Sequence, residues 1–421
     1  MTPTRGTVPR LTPEGKARLD ELVKRQVAES GLPALFFGAT TADGEIYFNC
    51  GGDKVVNKPE LGQVDEDTTV QLWSMTKMIT AIACIQLHEK GLLTYDDPEV
   101  INKHAPELAA MPILTGFDDK DQPTTTPRTK PLTLRHLLTH TSGLAYALFN
   151  PTVAKWEQVT GAGSWLAPGA PVSTIVQPLL FEPGSKFCYG LGLDWAGVIV
   201  MRISGQTLEE YFHEHIFAPC GLTDDDISFL PNESIRSRLM QLCAPTPAGN
   251  IAIDGLRPVP ELKPEDIGLQ LGGGGLLGTP RGYMRVLSGL LKCRDQDGGI
   301  VSQEGFRSLF DNCLPPHSDT EAYKDLGQFL AFAGVTEPQY MSGDKVGWSL
   351  GLCLYTADSK YGRKAGTGFW SGVASTRHWI DPSMGIAAWC GTQLLGDFAP
   401  LERLTEAFEE VLYGALETGP N

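Results

Sequence analysis

Strand-forming sequence in this chain clusters near its two ends, and that placement limits the possible folds more than any other feature. Near the start, Ala34-Leu35-Phe36-Phe37-Gly38-Ala39 and Glu45-Ile46-Tyr47-Phe48 flank the turn residues Ala42-Asp43-Gly44, the pattern of a hairpin. Near the end, Trp348 to Leu354, Ala374 to Ile380 and Gly385 to Gly391 read as strands, and Asp381-Pro382-Ser383-Met384 turns between the last two. A hairpin alone is marginal in water, so the strands of both ends are expected to join one sheet. Helical periodicity fills the middle, in Leu132 to Leu138, Asp194 to Ile203, Leu208 to Phe217 and Gly282 to Leu291. A last helix from Pro400 to about Leu416 carries the apolar stripe Leu401, Leu404, Phe408 and Val411/Leu412. The fold class expected is therefore α+β. An antiparallel sheet from residues 1–95 and 330–421 is flanked by helices, with 96–329 as a large, mainly helical insertion. Phe117 to Lys130, rich in Asp, Thr, Pro and Lys, reads as an exposed excursion.

Composition narrows the partners. The chain has 421 residues, 42% of them hydrophobic, enough for a large core, and a formal net charge of −16. That balance repels phosphate backbones and anionic lipid surfaces, so the expected partner is a small molecule or peptide, with no nucleic acid and no membrane. Met1 to Glu21 holds no secretory apolar core, and no run approaches the ~18 apolar residues of a membrane span. The nine cysteines are scattered, odd in number and without a C-x-x-C pair. Such thiols fit a reducing compartment, here the cytoplasm, and oppose a disulfide or zinc framework, so neither metal nor cofactor is expected. Oligomeric state leaves no signal.

The chemistry-bearing motif is Trp73-Ser74-Met75-Thr76-Lys77, followed directly by the apolar helical stretch Met78 to Leu87. Residues i and i+3 of a helix are neighbours, so the spacing predicts a hydroxyl beside an amine on one helical face. A serine is a poor nucleophile until a nearby base takes its proton. Lysine titrates near ~10.4, so Lys77 must be desolvated or crowded by positive potential to act near neutrality. A helix N-terminus supplies that potential and directs N–H groups at a developing anion. The same short pattern also occurs on ordinary solvated helices, so the context decides.

A rival serine lies in Gly347-Trp348-Ser349-Leu350-Gly351, which fits G-x-S-x-G with Asp358 and His378 following in order. That motif needs a strand, a sharp turn and a helix. Here Val346, Trp348, Leu350, Leu352 and Leu354 continue a strand alternation straight through Ser349, so an uninterrupted strand is expected and the elbow is rejected. Leu271-Gly272-Gly273-Gly274-Gly275-Leu276 lacks the Lys-Ser/Thr of a P-loop and reads as backbone closely approaching a cleft. His213 and His215 face different directions on a helix. His136 and His140 share a face, a ligand-compatible spacing that satisfied or capping histidines show more often.

Four spaced motifs resemble the class C β-lactamase and penicillin-binding superfamily in their proper order. They are Ser74-Met75-Thr76-Lys77, Leu137-Leu138-Thr139-His140-Thr141-Ser142-Gly143-Leu144, Pro183-Gly184 before Tyr189, and Gly272-Gly273-Gly274-Gly275-Leu276. Ala110 to Asp119, Tyr189-Gly190, Leu193-Asp194-Trp195-Ala196-Gly197 and Tyr283-Met284-Arg285-Val286-Leu287 are further similar to fungal acyltransferases of the statin side-chain kind. Family VIII carboxylesterases share the framework. The resemblance implies a β-lactamase/transpeptidase-like fold with its site in the cleft between sheet and helical parts. It implies Ser74 as acylated nucleophile, Lys77 as its base, and Tyr189 as proton relay to the leaving group and from the acceptor. It places the oxyanion between the backbone N–H groups of Ser74 and Val373, and substrate against Tyr146, Trp370, Ser371 and Gly372. For the Tyr189 phenol to ionise, the cation of Lys77 is the expected helper.

Two departures bear on substrate. Where lactamases place Lys-Thr-Gly, this chain has Trp370-Ser371-Gly372, so a substrate carboxylate loses a charge-assisted hydrogen bond worth ~1.5–3 kcal/mol. Leu191 replaces the asparagine expected two residues after the tyrosine. The implied function is an acyl-serine esterase or acyltransferase acting on a small-molecule ester or acyl thioester, free or carrier-bound, in fungal secondary metabolism. A β-lactamase and a non-catalytic penicillin-binding-like module are the alternatives. An acidic carrier would need a basic patch, for which Arg128, Lys130 and Arg135 are the candidates.

Overall fold

The computed structural model describes residues 8–254, 259–314, 320–335 and 346–417; the first seven residues of the Met1 to Glu21 stretch lie outside them. Strands β1 (Ala34–Thr41), β2 (Gly44–Gly52), β3 (Val346–Trp348), β4 (Cys353–Tyr355), β5 (Gly368–Gly372), β6 (Thr376–Asp381) and β7 (Ile386–Gly391) form one sheet. Its order is β3-β4-β5-β6-β7-β1-β2, antiparallel at every pairing. Both chain ends thus meet where β1 pairs with β7, Phe37 opposite Cys390.

The longer helices around the sheet and the site include α1 (Pro13–Glu29), α2 (Thr76–Glu89), α3 (Gly192–Ser204), α4 (Pro280–Cys293), α5 (Glu321–Phe332) and α6 (Ala399–Tyr413). All eight residues of β1 are buried because both faces of the sheet are covered. On one face α1 and α6 pack, with Phe37 against Phe408 at a centroid distance of 4.7 Å. On the other lies α4, where a Cβ on Gly38 would fall 2.3 Å from Met284 Sδ. Glycine at 38 is what lets that helix sit down. Helix α2 is buried at every position from Thr76 to Leu87, as its all-round apolar sequence demands, and packs on α3.

Several details differ from the sequence reading. The segment through Ser349 is two strands, not one: β3 ends at Trp348 and β4 begins at Cys353, with Ser349 N–H bonded to Leu352 O across a tight turn. Gly351 makes the turn because a Cβ there would lie 2.5 Å from the Ala81 side chain. The hydrophobic alternation continued through a turn that is itself buried, so polarity never marked it. Helix α1 escaped notice because charged residues dominate it, leaving Leu19, Leu22 and Val23 as its buried stripe. The excursion at Phe117 to Lys130 begins with an exposed hairpin, Ile113–Phe117 against Pro123–Thr126. All nine cysteines are free, and among the described residues no cluster has metal-binding composition.

Candidate active site

Ser74 sits just before α2, in a 3₁₀ turn spanning Trp73–Met75, rather than in the helix proper. The turn is tight: Met75 N–H bonds Leu72 O, and Trp73 holds φ +48°. A bulky residue in the left-handed region costs on the order of 1–3 kcal/mol, strain of the kind functional turns retain. The end of β5 lies directly against this turn. A Cβ on Gly372 would fall 2.6 Å from Leu72 O, so only glycine brings the strand this close to Ser74. Among the described residues strand β4 pairs only with Gly368 and Phe369 of β5, which leaves Trp370 to Gly372 without a strand partner on the side beside the serine.

Lys77 is fully buried in the first turn of α2. Its Nζ lies 3.1 Å from Ser74 Oγ, 3.2 Å from Tyr146 Oη and 2.6 Å from Gly273 O. Burial drives its amine down to about 7, against an opposing pull from Asp194. The glycine-rich segment is strapped onto α2 by this bond, by Thr80 Oγ1 donating to Gly272 O at 2.7 Å, and by Thr76 Oγ1 accepting from Leu276 N at 3.2 Å. The close backbone approach expected of these glycines is therefore made to Lys77.

Tyr189 reaches the serine from the loop before α3. Its hydroxyl is hydrogen-bonded by Ser74 and accepts from Trp370 Nε1 at 3.1 Å; both favour the phenolate, while burial raises the phenol more strongly. Lys77 plays a different part from the one expected. Its Nζ stands 4.7 Å above the Tyr189 ring centroid, and the groups bonded to the phenol oxygen are the indole N–H of Trp370 and the Ser74 hydroxyl. Trp370 thus does more than replace a charged anchor.

A narrow cavity of about 40 Å³ opens on Ser74. Tyr189, Trp370, Ser371, Gly372 and Val373 line it, joined by Phe149, Phe329, Val335 and Phe398, which no local sequence pattern marked. Ser74 and Val373 share this wall, as an oxyanion pair would require. Ser371 Oγ accepts from Arg377 Nε at 3.0 Å, and Arg377 is paired with Glu402 at 2.6 Å in the interior. Tyr146 departs from its expected place on the cleft wall. It is buried behind Lys77, with its hydroxyl donated to Asp194 Oδ2 at 2.6 Å.

The rival and accessory candidates are all accounted for elsewhere. Ser349 is fully buried, its Oγ bonded within its own turn to Leu352 N and O. His378 faces Tyr283, and Asp358 pairs with Lys364, so neither approaches the serine as a triad partner. His136 caps its helix at Thr133, and His140 Nδ1 accepts from Gly190 N–H. His213 lies between Glu209 and Asp224. Of the basic candidates, Arg135 is paired with Asp96 and Arg128 donates to the Lys130 and Ala109 carbonyls, so both serve the local fold.

An antiparallel sheet with a Ser-x-x-Lys turn beside an open strand edge, faced by a tyrosine, is the architecture of serine-acylating proteins of β-lactamase fold. The chain belongs to the Beta-lactamase family, whose sequence model matches residues 19–403. It is 33% identical to lovastatin esterase of Penicillium rubens over 86% of this chain and 88% of that one. It is 30% identical to monacolin J acid methylbutanoyltransferase of Aspergillus terreus, over 95% and 96%. Unliganded simvastatin synthase of Aspergillus terreus superposes with a TM-score of 0.79 at 27% identity, covering 97% of this chain and 100% of that one. Among the described residues no helix is long and apolar enough to cross a membrane.

Proposed function

We propose that this protein is an acyl-serine enzyme that takes the acyl group of a neutral ester or thioester onto Ser74 and passes it to an alcohol or to water. The observation that carries the reading is a serine hydroxyl 3.1 Å from a fully buried lysine whose amine titrates at about 7. Such an amine is substantially neutral at physiological pH and can take the Oγ proton as Oγ bonds to the acyl carbon. The carbonyl electron pair moves onto oxygen, toward the backbone N–H groups of Ser74 and Val373, and its return expels the alkoxide or thiolate. Tyr189 hands the leaving group a proton and is left as the phenolate, while Lys77 keeps the proton taken from Ser74 until deacylation returns it. Deacylation runs the same path in reverse, with the acceptor O–H in place of the leaving group.

The wall of Phe149, Phe329, Val335, Trp370 and Phe398 suits a hydrocarbon acyl chain, and among the described residues that line it none is a cation for a carboxylate. Relatives named for lovastatin and monacolin J support an ester of fungal secondary metabolism as the substrate, and acyl transfer is read as the physiological reaction ahead of hydrolysis. The donor thioester is read as small or carrier-borne, and the enzyme as cytoplasmic. The division into a sheet part (1–95 and 330–421) and a mainly helical part (96–329) with the cleft between them belongs to the same reading, although α4 packs on the sheet. Replacement Ser74→Ala is expected to abolish cleavage of a short-chain p-nitrophenyl ester; unchanged cleavage refutes the proposal.

A further inference from the structure

Behind Lys77 lies a closed set of hydrogen bonds that the acylation step does not itself use. Asp194, at the start of α3 and 1% exposed, accepts the Tyr146 hydroxyl on Oδ2 at 2.6 Å and the Gly273 N–H on Oδ1 at 2.8 Å. The cation beside this buried carboxylate is Lys77. The backbone is shaped around the cluster: a Cβ on Gly273 would lie 2.5 Å from both Asp194 Oδ2 and Tyr146 Oη.

The directions of these bonds matter. A carboxylate only accepts, so the Tyr146 O–H is committed to Asp194 and its oxygen offers Lys77 nothing but lone pairs. The Gly273 carbonyl likewise only accepts. A neutral amine has two N–H groups and one lone pair. With the N–H groups spent on Tyr146 Oη at 3.2 Å and Gly273 O at 2.6 Å, the lone pair is left toward Ser74 Oγ at 3.1 Å. We infer that Asp194, through Tyr146 and the Gly273 amide, is a positioning residue that aims the Lys77 lone pair at the Ser74 hydroxyl. The inference rests on the acyl-serine reading and concerns one step of it: the Oγ proton moves to Nζ as the Oγ–acyl bond forms.

The replacement Asp194→Asn keeps the shape and reverses one bond. Its NH₂ cannot face the Gly273 N–H, a second donor, so it turns to Tyr146 and takes the place of an acceptor with a donor. The Tyr146 O–H then points at Lys77 and occupies the lone pair the serine needs. Removing that hydroxyl by Tyr146→Phe in the Asn background frees the lone pair again. The double variant is therefore expected to be faster than Asp194→Asn alone, which a merely structural role cannot produce.

The titratable groups facing Lys77 are Tyr146 and Tyr189 from the loops, Asp194 from α3, and neutral His140. Only Asp194 attracts a proton to the amine, so its loss also moves the acid limb of the acylation profile to lower pH. The test follows the burst of p-nitrophenol from p-nitrophenyl butyrate between about pH 5 and 9, for wild type, Asp194→Asn, Tyr146→Phe, the double variant and Ser74→Ala. Asp194→Asn is expected to slow plateau acylation roughly 100-fold, the double variant to recover about tenfold of it, and both to show the lowered acid limb. A wild-type plateau in Asp194→Asn, or a double variant slower than it, overturns the inference. Should Asp194→Asn fail to fold, Tyr146→Phe alone decides: a slower plateau with an acid limb that is not lowered, because the Asp194 charge is kept, supports the assignment, and a wild-type profile overturns it. Cleavage persisting in Ser74→Ala means the acyl-serine reading itself has failed, whereas an inert Ser74→Ala beside a fully active Asp194→Asn removes only the role of Asp194.

Discussion

The chemistry of this site turns on one amine. Among the described residues Lys77 has no ion-pair partner in contact; it is bonded to two hydroxyl oxygens and a carbonyl, and burial lowers it to about 7. The sign for activity follows directly. Below about pH 7 the amine is charged and cannot accept the Ser74 proton, and above it the neutral base predominates. Pre-steady-state acylation is therefore expected to rise about tenfold per pH unit up to an inflection near 7 and then level off. A rate that falls with pH over the same range contradicts Lys77 as base. The motif residues were legible because spacing alone puts serine beside lysine. Asp194 and the true place of Tyr146 were not. An aspartate opening an apolar helix has an ordinary explanation as a helix-terminal residue, and a tyrosine near a motif reads equally as cleft wall. Only the fold brings Asp194, Tyr146 and Gly273, distant in sequence, around one amine.

At the scale of elements, the open edge of β5 and the 3₁₀ turn before α2 make the site together. Their contact depends on Gly372, and the seat of Lys77 depends on Gly273. The glycine-rich run was recognisable as a close approach, but which backbone it approached required the tertiary structure. The Gly347 to Gly351 segment shows the opposite failure. Its alternation predicted strand through Ser349, and the turn went unseen because Ser349, Leu350 and Leu352 are buried in it. The rejection of the elbow survives on different grounds, since the turn joins strand to strand, not strand to helix. Ser349→Ala is expected to leave ester cleavage within about twofold of wild type. Loss of the bond from Leu352 N–H should lower stability by about 1–3 kcal/mol, read by denaturant melts. Abolished cleavage in a folded variant would revive the rival nucleophile.

For the whole molecule, the sheet assembled from both chain ends was legible because isolated hairpins must find partners, and the acidic balance pointed to a small-molecule or peptide partner. The cavity wall was not, because Phe149, Phe329 and Phe398 come from separate loops and helices with no shared period. The ends meet where β1 pairs with β7, and within the C-terminal part Arg377 of β6 and Glu402 of α6 form a buried pair at 2.6 Å, whose guanidinium also donates to Ser371 on the cavity wall. Glu402→Gln leaves that guanidinium uncompensated and is expected to cost about 3–5 kcal/mol, seen as a lowered melting temperature. An unchanged melt would show that the pair contributes nothing. The central claim is that Ser74 carries the acyl group, and intact-mass spectrometry tests it most directly. After brief exposure to a short-chain ester and an acid quench, the protein should gain one acyl mass, localised by peptide mapping to the fragment with Ser74, decaying with turnover and lost in Ser74→Ala. An adduct on another residue, or turnover persisting in Ser74→Ala, would contradict it.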